Sequence, residues 1–85
     1  MNILEFDEQL NALSERAKES MDRLERERGY VIETMQKTQS SFGDQSAGQK
    51  LVAALYRVNN ALTAADSALY AIRSRIGSYI QQTRK

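Results

Sequence analysis

Between Leu51 and Tyr79 nine apolar residues follow one another at alternating steps of four and three: Leu51, Leu55, Val58, Leu62, Ala65, Leu69, Ile72, Ile76 and Tyr79. At 3.6 residues per turn this spacing keeps all nine on one side of a helix. A strand turns successive side chains to opposite faces and cannot gather them. The second half of the chain is therefore restricted to one long amphipathic helix. Ser46, with Gln49 three residues later, reads as a capping box at its start, so the helix is predicted over 46–83.

The first half carries the same period less regularly, through Ile3, Phe6, Leu10, Leu13 and Ala17, then Met21, Leu24, Val31 and Met35. The register is strictly heptad as far as Ala17. Beyond it Ser20, Glu27 and Thr34 occupy the row that Phe6 and Leu13 opened, and Met21, Arg28 and Met35 take over one residue later. A nearly straight helix drifts in this way. Asn2, followed by Glu5, caps the first turn. Gly29 and Gly77 each cost about 1 kcal/mol relative to alanine inside a helix. With no proline in the chain, nothing forces a stop, and 3–38 is predicted as one helix.

The strongest punctuation is Ser40-Ser41-Phe42-Gly43-Asp44-Gln45-Ser46, which places a turn over 39–46. Rods of roughly 54 and 57 Å on either side, at ~1.5 Å per residue, fold back on each other. The predicted fold class is all-α: a single-domain, two-helix antiparallel hairpin. It is expected to close by packing Leu51, Leu55, Val58, Leu62, Leu69 and Ile76 against Leu10, Leu13, Leu24 and Val31. Phe42 is expected to fold over the tip, with Gly43 supplying a positive φ.

An 85-residue chain sits near the size at which one core ceases to hold itself together. It contains neither cysteine nor histidine, which removes disulfides, thiolate sites and the commonest zinc ligand. Its carboxylates fall mostly outside the apolar stripes, so neither a metal nor a cofactor is expected. Acid–base and nucleophilic roles would rest on carboxylates, lysine, tyrosine or serine, and a hairpin offers no concave pocket to shelter them. The reading is non-enzymatic. A net charge of +1 gives no reason to expect nucleic acid, and the basic end at Arg73, Arg75, Arg84 and Lys85 lacks an aromatic stacking platform. No run approaches the ~20 apolar residues of a membrane span, and the acidic N-terminus does not resemble a signal peptide. The expectation is a protein made soluble in the cytoplasm and, if exported, exported without a cleavable leader. Residues 1–39 carry nine acids and six bases, and residues 40–85 two acids and six bases, so the halves are weakly complementary at −3 and +4.

Oligomerisation remains as the way to complete a core. The second helix has more apolar surface than one seam requires: Ala54, Ala61 and Ala68 form a heptad row, and Val52, Tyr56 and Tyr70 widen the face. These six residues are expected to meet a helical partner or client, or a second copy, completing a four-helix bundle.

With two long matched helices and an aromatic-glycine pair, Phe42-Gly43, at the midpoint, the chain resembles the WXG-type helical-hairpin family of bacterial type VII secretion. That family comprises small substrates and the partners that target larger toxins. The resemblance covers nearly the whole chain and implies a four-helix-bundle dimer that is exported folded. The family's Trp-x-Gly turn is represented by Phe42-Gly43 without the intervening residue. Its C-terminal tyrosine, followed four residues later by an acid, is represented by Tyr79, with Thr83 in the acid's place. Those departures fit a toxin-targeting partner whose dimer supplies the missing signal. Two other readings share the architecture: a type III secretion co-chaperone hairpin that holds a helical client in the cytoplasm, and a structural bundle subunit of a phage or other assembly.

Overall fold

The side-chain carbonyl of Asn2 accepts from the Glu5 amide at 2.8 Å, satisfying one of the unpaired donors that every helix start exposes. From there the computed structural model, which describes residues 2–83, runs as α1 (Ile3–Phe42), a turn over 43–45, and α2 (Ser46–Thr83). Helix α1 continues through Gly29 and ends four residues later than the sequence pattern predicts. The Gly43 amide donates to the Gln39 carbonyl at 3.1 Å, so helical bonding carries past the two serines. Gly43 accordingly adopts φ −67°, an ordinary right-handed helical value and not the positive φ expected of it.

The turn is short because its hydrogen bonds close both helix ends together. The Gln45 amide donates to the Phe42 carbonyl and the Gln49 amide to the Gln45 carbonyl, each at 3.0 Å, which puts Gln45 in the capping position. The expected Ser46/Gln49 box is replaced by another bond: the Gln49 side-chain amide donates to the Gly43 carbonyl at 3.1 Å. Gly48 is buried at this corner, and a Cβ there would collide with the carbonyl of Phe42. Only glycine lets α2 leave the turn so close to the end of α1.

Two contacts fix the antiparallel register. The Phe6 and Tyr79 rings meet edge to face with centroids 5.8 Å apart, and Arg73 Nε donates to Ser14 Oγ at 3.3 Å. The inner face of α1 is Asp7, Leu10, Ser14, Ala17, Met21, Leu24, Arg28, Val31, Met35 and Thr38, all buried or half-buried at steps of three and four. The inner face of α2 is Gly48, Val52, Leu55, Asn59, Leu62, Asp66, Leu69, Arg73, Ile76 and Ile80, on the same rule. The seam thus keeps one heptad register from end to end, as in a coiled coil, without the drift predicted for α1.

This corrects three of the ten positions expected to close the hairpin. Leu55, Leu62, Leu69 and Ile76 face inward, level with Val31, Leu24, Ala17 and Leu10. Leu51 and Val58 do not; they remain 48% and 46% exposed, and Leu13 is 51% exposed. The row opposite Leu51 and Val58 on α1 holds Thr34 and Glu27, which give them no apolar cover. In place of that row the seam takes Asn59, Asp66 and Arg73, level with Arg28, Met21 and Ser14. Gly48 stands seven residues before Leu55, so the tight corner sets the leucine row inward. A seam has room for only one row beside it.

The core that results is thin. Among the described residues only Ala17 and Ile76 are buried apolar side chains, and no large side chain is fully buried. The molecule is a rod of 61 × 18 × 15 Å with a radius of gyration of 18.9 Å, against about 12 Å for a compact domain of this length.

Candidate partner interface

The seam's heptad register sorts every remaining position onto one of two broad faces or an outer edge. On the first face, α1 contributes the row Phe6, Leu13, Ser20, Glu27, Thr34, and α2 the row Leu51, Val58, Ala65, Ile72, Tyr79. The Phe6–Tyr79 contact shows that these rows lie on the same side. Ile72 (43% exposed) and Tyr79 (39%) continue the apolar row that Leu51 and Val58 begin. Ala54, Ala61 and Ala68, all exposed, flank this row on its outer side. Half-buried leucines of the seam form the floor. A shallow groove lined by Phe6, Leu10, Arg75, Ile76 and Tyr79 marks where floor, row and rim meet.

The opposite face is the more polar one: its exposed apolar side chains, Leu4, Ile32, Tyr56 and Tyr70, are separated along each helix by polar residues. Its α2 row is Tyr56, Thr63, Tyr70 and Gly77, and its α1 row Leu4, Asn11, Lys18, Glu25, Ile32 and Gln39. A second groove there is lined by Asn11, Ser14, Tyr70, Arg73, Ser74, Ile76 and Gly77. No apolar row runs along this side.

The six residues predicted to bind a partner therefore do not make one patch. Ala54, Ala61 and Ala68 lie on the apolar face. Tyr56 and Tyr70, 57% and 66% exposed, stand on the other side of α2, since nine residues from Ala61 to Tyr70 amount to half a revolution at 100° each. Val52 belongs to neither face: it sits in the seam beside Met35, and the two line a common groove. Of the proposed recognition residues, Phe42 is 53% exposed at the end of α1, Gly43 follows it in the turn, and Tyr79 is engaged with Phe6. The residues that sequence reasoning assigned to the core, and the structure leaves outside, are Leu13, Leu51 and Val58. Their signal was present: nine apolar residues in alternating steps form two rows, one more than the seam accepts beside its polar row.

Charge is divided between the faces. The rim of the apolar face carries Arg16, Arg23, Lys37 and Arg75 against Glu27, leaving +3. Among the described residues the polar face carries Glu8, Glu15, Asp22 and Glu25 against Lys18, leaving −3. The outer edges balance, with Glu5, Glu19 and Glu33 against Arg26, Lys50 and Arg57. Arg23 donates to Ser20 Oγ at 3.3 Å, and Lys37 pairs with Glu33 at 3.0 Å with both side chains in solvent. Of the basic end, Arg73 is in the seam and Arg75 on the rim, while Arg84 and Lys85 lie outside the described residues.

No family model, curated protein or solved structure matches the chain. The functional reading rests on its own residues. Among the described residues no group of three metal-ligating side chains converges, and no helix is long and apolar enough to cross a membrane.

Proposed function

We propose that the protein is a non-enzymatic helix-packing module of a bacterial secretion system, which lays its apolar broad face on another helical protein to complete a four-helix bundle. One observation carries the packing part. Six large apolar side chains that are at least 38% exposed, Phe6, Leu13, Leu51, Val58, Ile72 and Tyr79, fall on this one face, while among the described residues only Ala17 and Ile76 are buried in the apolar core. Surface apolar residues are normal when scattered, but an unbroken row along a helix is the mark of an interface. Covering it contributes roughly 1.5–3 kcal/mol for each large side chain fully buried, which a hairpin this thin lacks on its own.

The secretion part rests on the shape and on the tip. The two helices are nearly matched, at 40 and 38 residues, and Phe42-Gly43 presents an exposed aromatic at the end of the rod. This agrees with the resemblance to small type VII secretion substrates and toxin-targeting partners. The test is co-expression with the products of neighbouring open reading frames, followed by chromatography with light scattering. A stoichiometric complex is expected, and Ala61→Arg, on the flank of the row, should abolish it with helical content unchanged. A complex indifferent to Ala61→Arg, with Tyr56→Arg or Tyr70→Arg disruptive instead, would contradict the assignment of the face.

A further inference from the structure

We infer that the apolar face is built for a helical partner whose contact stripe is flanked by carboxylates, and not for a second copy of this chain. The inference rests on the helix-packing reading above and specifies the occupant. Its ground is the division of charge. Every base on this face stands on the rim, outside the Leu51/Val58/Ile72/Tyr79 row, and the one acid, Glu27, lies across the groove from Val58. Neither Arg16 nor Arg75 has an ion-pair partner among the described residues, and Arg75 lines the groove between Phe6 and Tyr79.

A symmetric dimer repeats one patch on both sides of its dyad. Joining two such faces would set positive rims against each other, each still +2 once Lys37 is taken with its Glu33 partner (Arg16, Arg23 and Arg75 against Glu27), and like charges across an interface count against association. Head-to-tail stacking on the polar face would match the charges, but that face has no apolar row to cover Leu51, Val58 and Ile72, and the contact would not close. An anionic bilayer also offers carboxylate-like charge. It would, however, have to desolvate Ser20, Glu27 and Thr34, which occupy the middle of the α1 half of the face. A helix lying over the α2 row and the leucine floor leaves those three at its edge.

The test uses the whole protein and two synthetic amphipathic peptides of about four heptads, each long enough to hold a helix on the rod. Both carry a leucine stripe; one flanks it with glutamates and the other with lysines. Fluorescence anisotropy should show the glutamate peptide binding at least tenfold more tightly at low salt. The gap should close as salt rises towards about 0.5 M, where screening is short-ranged. Arg16→Glu with Arg75→Glu should reverse the preference while circular dichroism stays unchanged. Sedimentation velocity of the protein alone should show a monomer. Equal binding of the two peptides, binding of neither, or binding only to phosphatidylglycerol vesicles would each overturn the inference. So would a self-associated protein. If that assembly dissociates on Val58→Lys, the helix-packing reading survives and only the acidic partner falls. Absence of association in every arm removes both.

Discussion

The polar layer at Arg28 and Asn59 is where the hairpin's stability is most open to improvement. The two residues stand level with each other in the middle of the seam, and Arg28 Nε and Asn59 Oδ1 are both buried without a hydrogen-bond partner. Each such atom costs about 1–3 kcal/mol. Arg28→Met continues a row that already holds Met21 and Met35. Asn59→Leu continues a seam occupied at neighbouring levels by Leu55 and Leu62. Removing both polar atoms, adding apolar contact and gaining a few tenths of a kcal/mol in helix propensity should stabilise the hairpin by about 3 kcal/mol. With a urea m-value of about 1 kcal/mol/M for a small protein, the midpoint should rise by roughly 3 M, with m unchanged. Urea titration followed by circular dichroism, at low protein concentration, measures this. Each single variant should also raise the midpoint, because each removes one unpaired buried group. A midpoint that falls in either single variant, or stays unchanged in the double, would show that the two side chains satisfy each other and would refute the reasoning.

Other substitutions separate the turn from the rods. Gly48→Ala should destabilise the hairpin by about 2 kcal/mol or more, because its Cβ has to displace the Phe42 carbonyl; urea unfolding reports it. Gly29→Ala, with nothing within 4 Å of the added Cβ and the position exposed on α1, should stabilise by about 1 kcal/mol and raise the thermal midpoint.

The hairpin and the extent of α2 were legible because the Leu51–Tyr79 alternation is a strong helical signal: 46–83 was predicted, and α2 spans Ser46–Thr83. The end of α1 was less so. Ser40 and Ser41 read as turn residues, yet the Gln39 carbonyl still finds its helical donor in Gly43. The rotation of α2 was not legible at all. Apolarity favours Leu51, Val58 and Ile72 over Asn59, Asp66 and Arg73. A seam is chosen by two helices and a corner together, and Gly48, which has no side chain, leaves no trace in an apolar pattern. Half-burial also suits long polar side chains, whose stems can lie in the seam while the charged ends reach outward. The surplus apolar surface was apparent in the sequence, but its grouping was not. Tyr56 and Tyr70 look like neighbours of the alanine row along the chain and stand across the helix from it.

A pair of substitutions one turn apart tests the account at its centre. Val58 and Leu62 are four residues apart and equally apolar in pattern, but only Leu62 faces the seam. In urea unfolding followed by circular dichroism, Val58→Lys should leave the isolated hairpin within about 0.5 kcal/mol of its starting stability. Leu62→Lys, which trades seam contact for a charge, should cost about 3 kcal/mol or more. Equal damage from the two would place Val58 in the core and leave no free apolar row for a partner to cover.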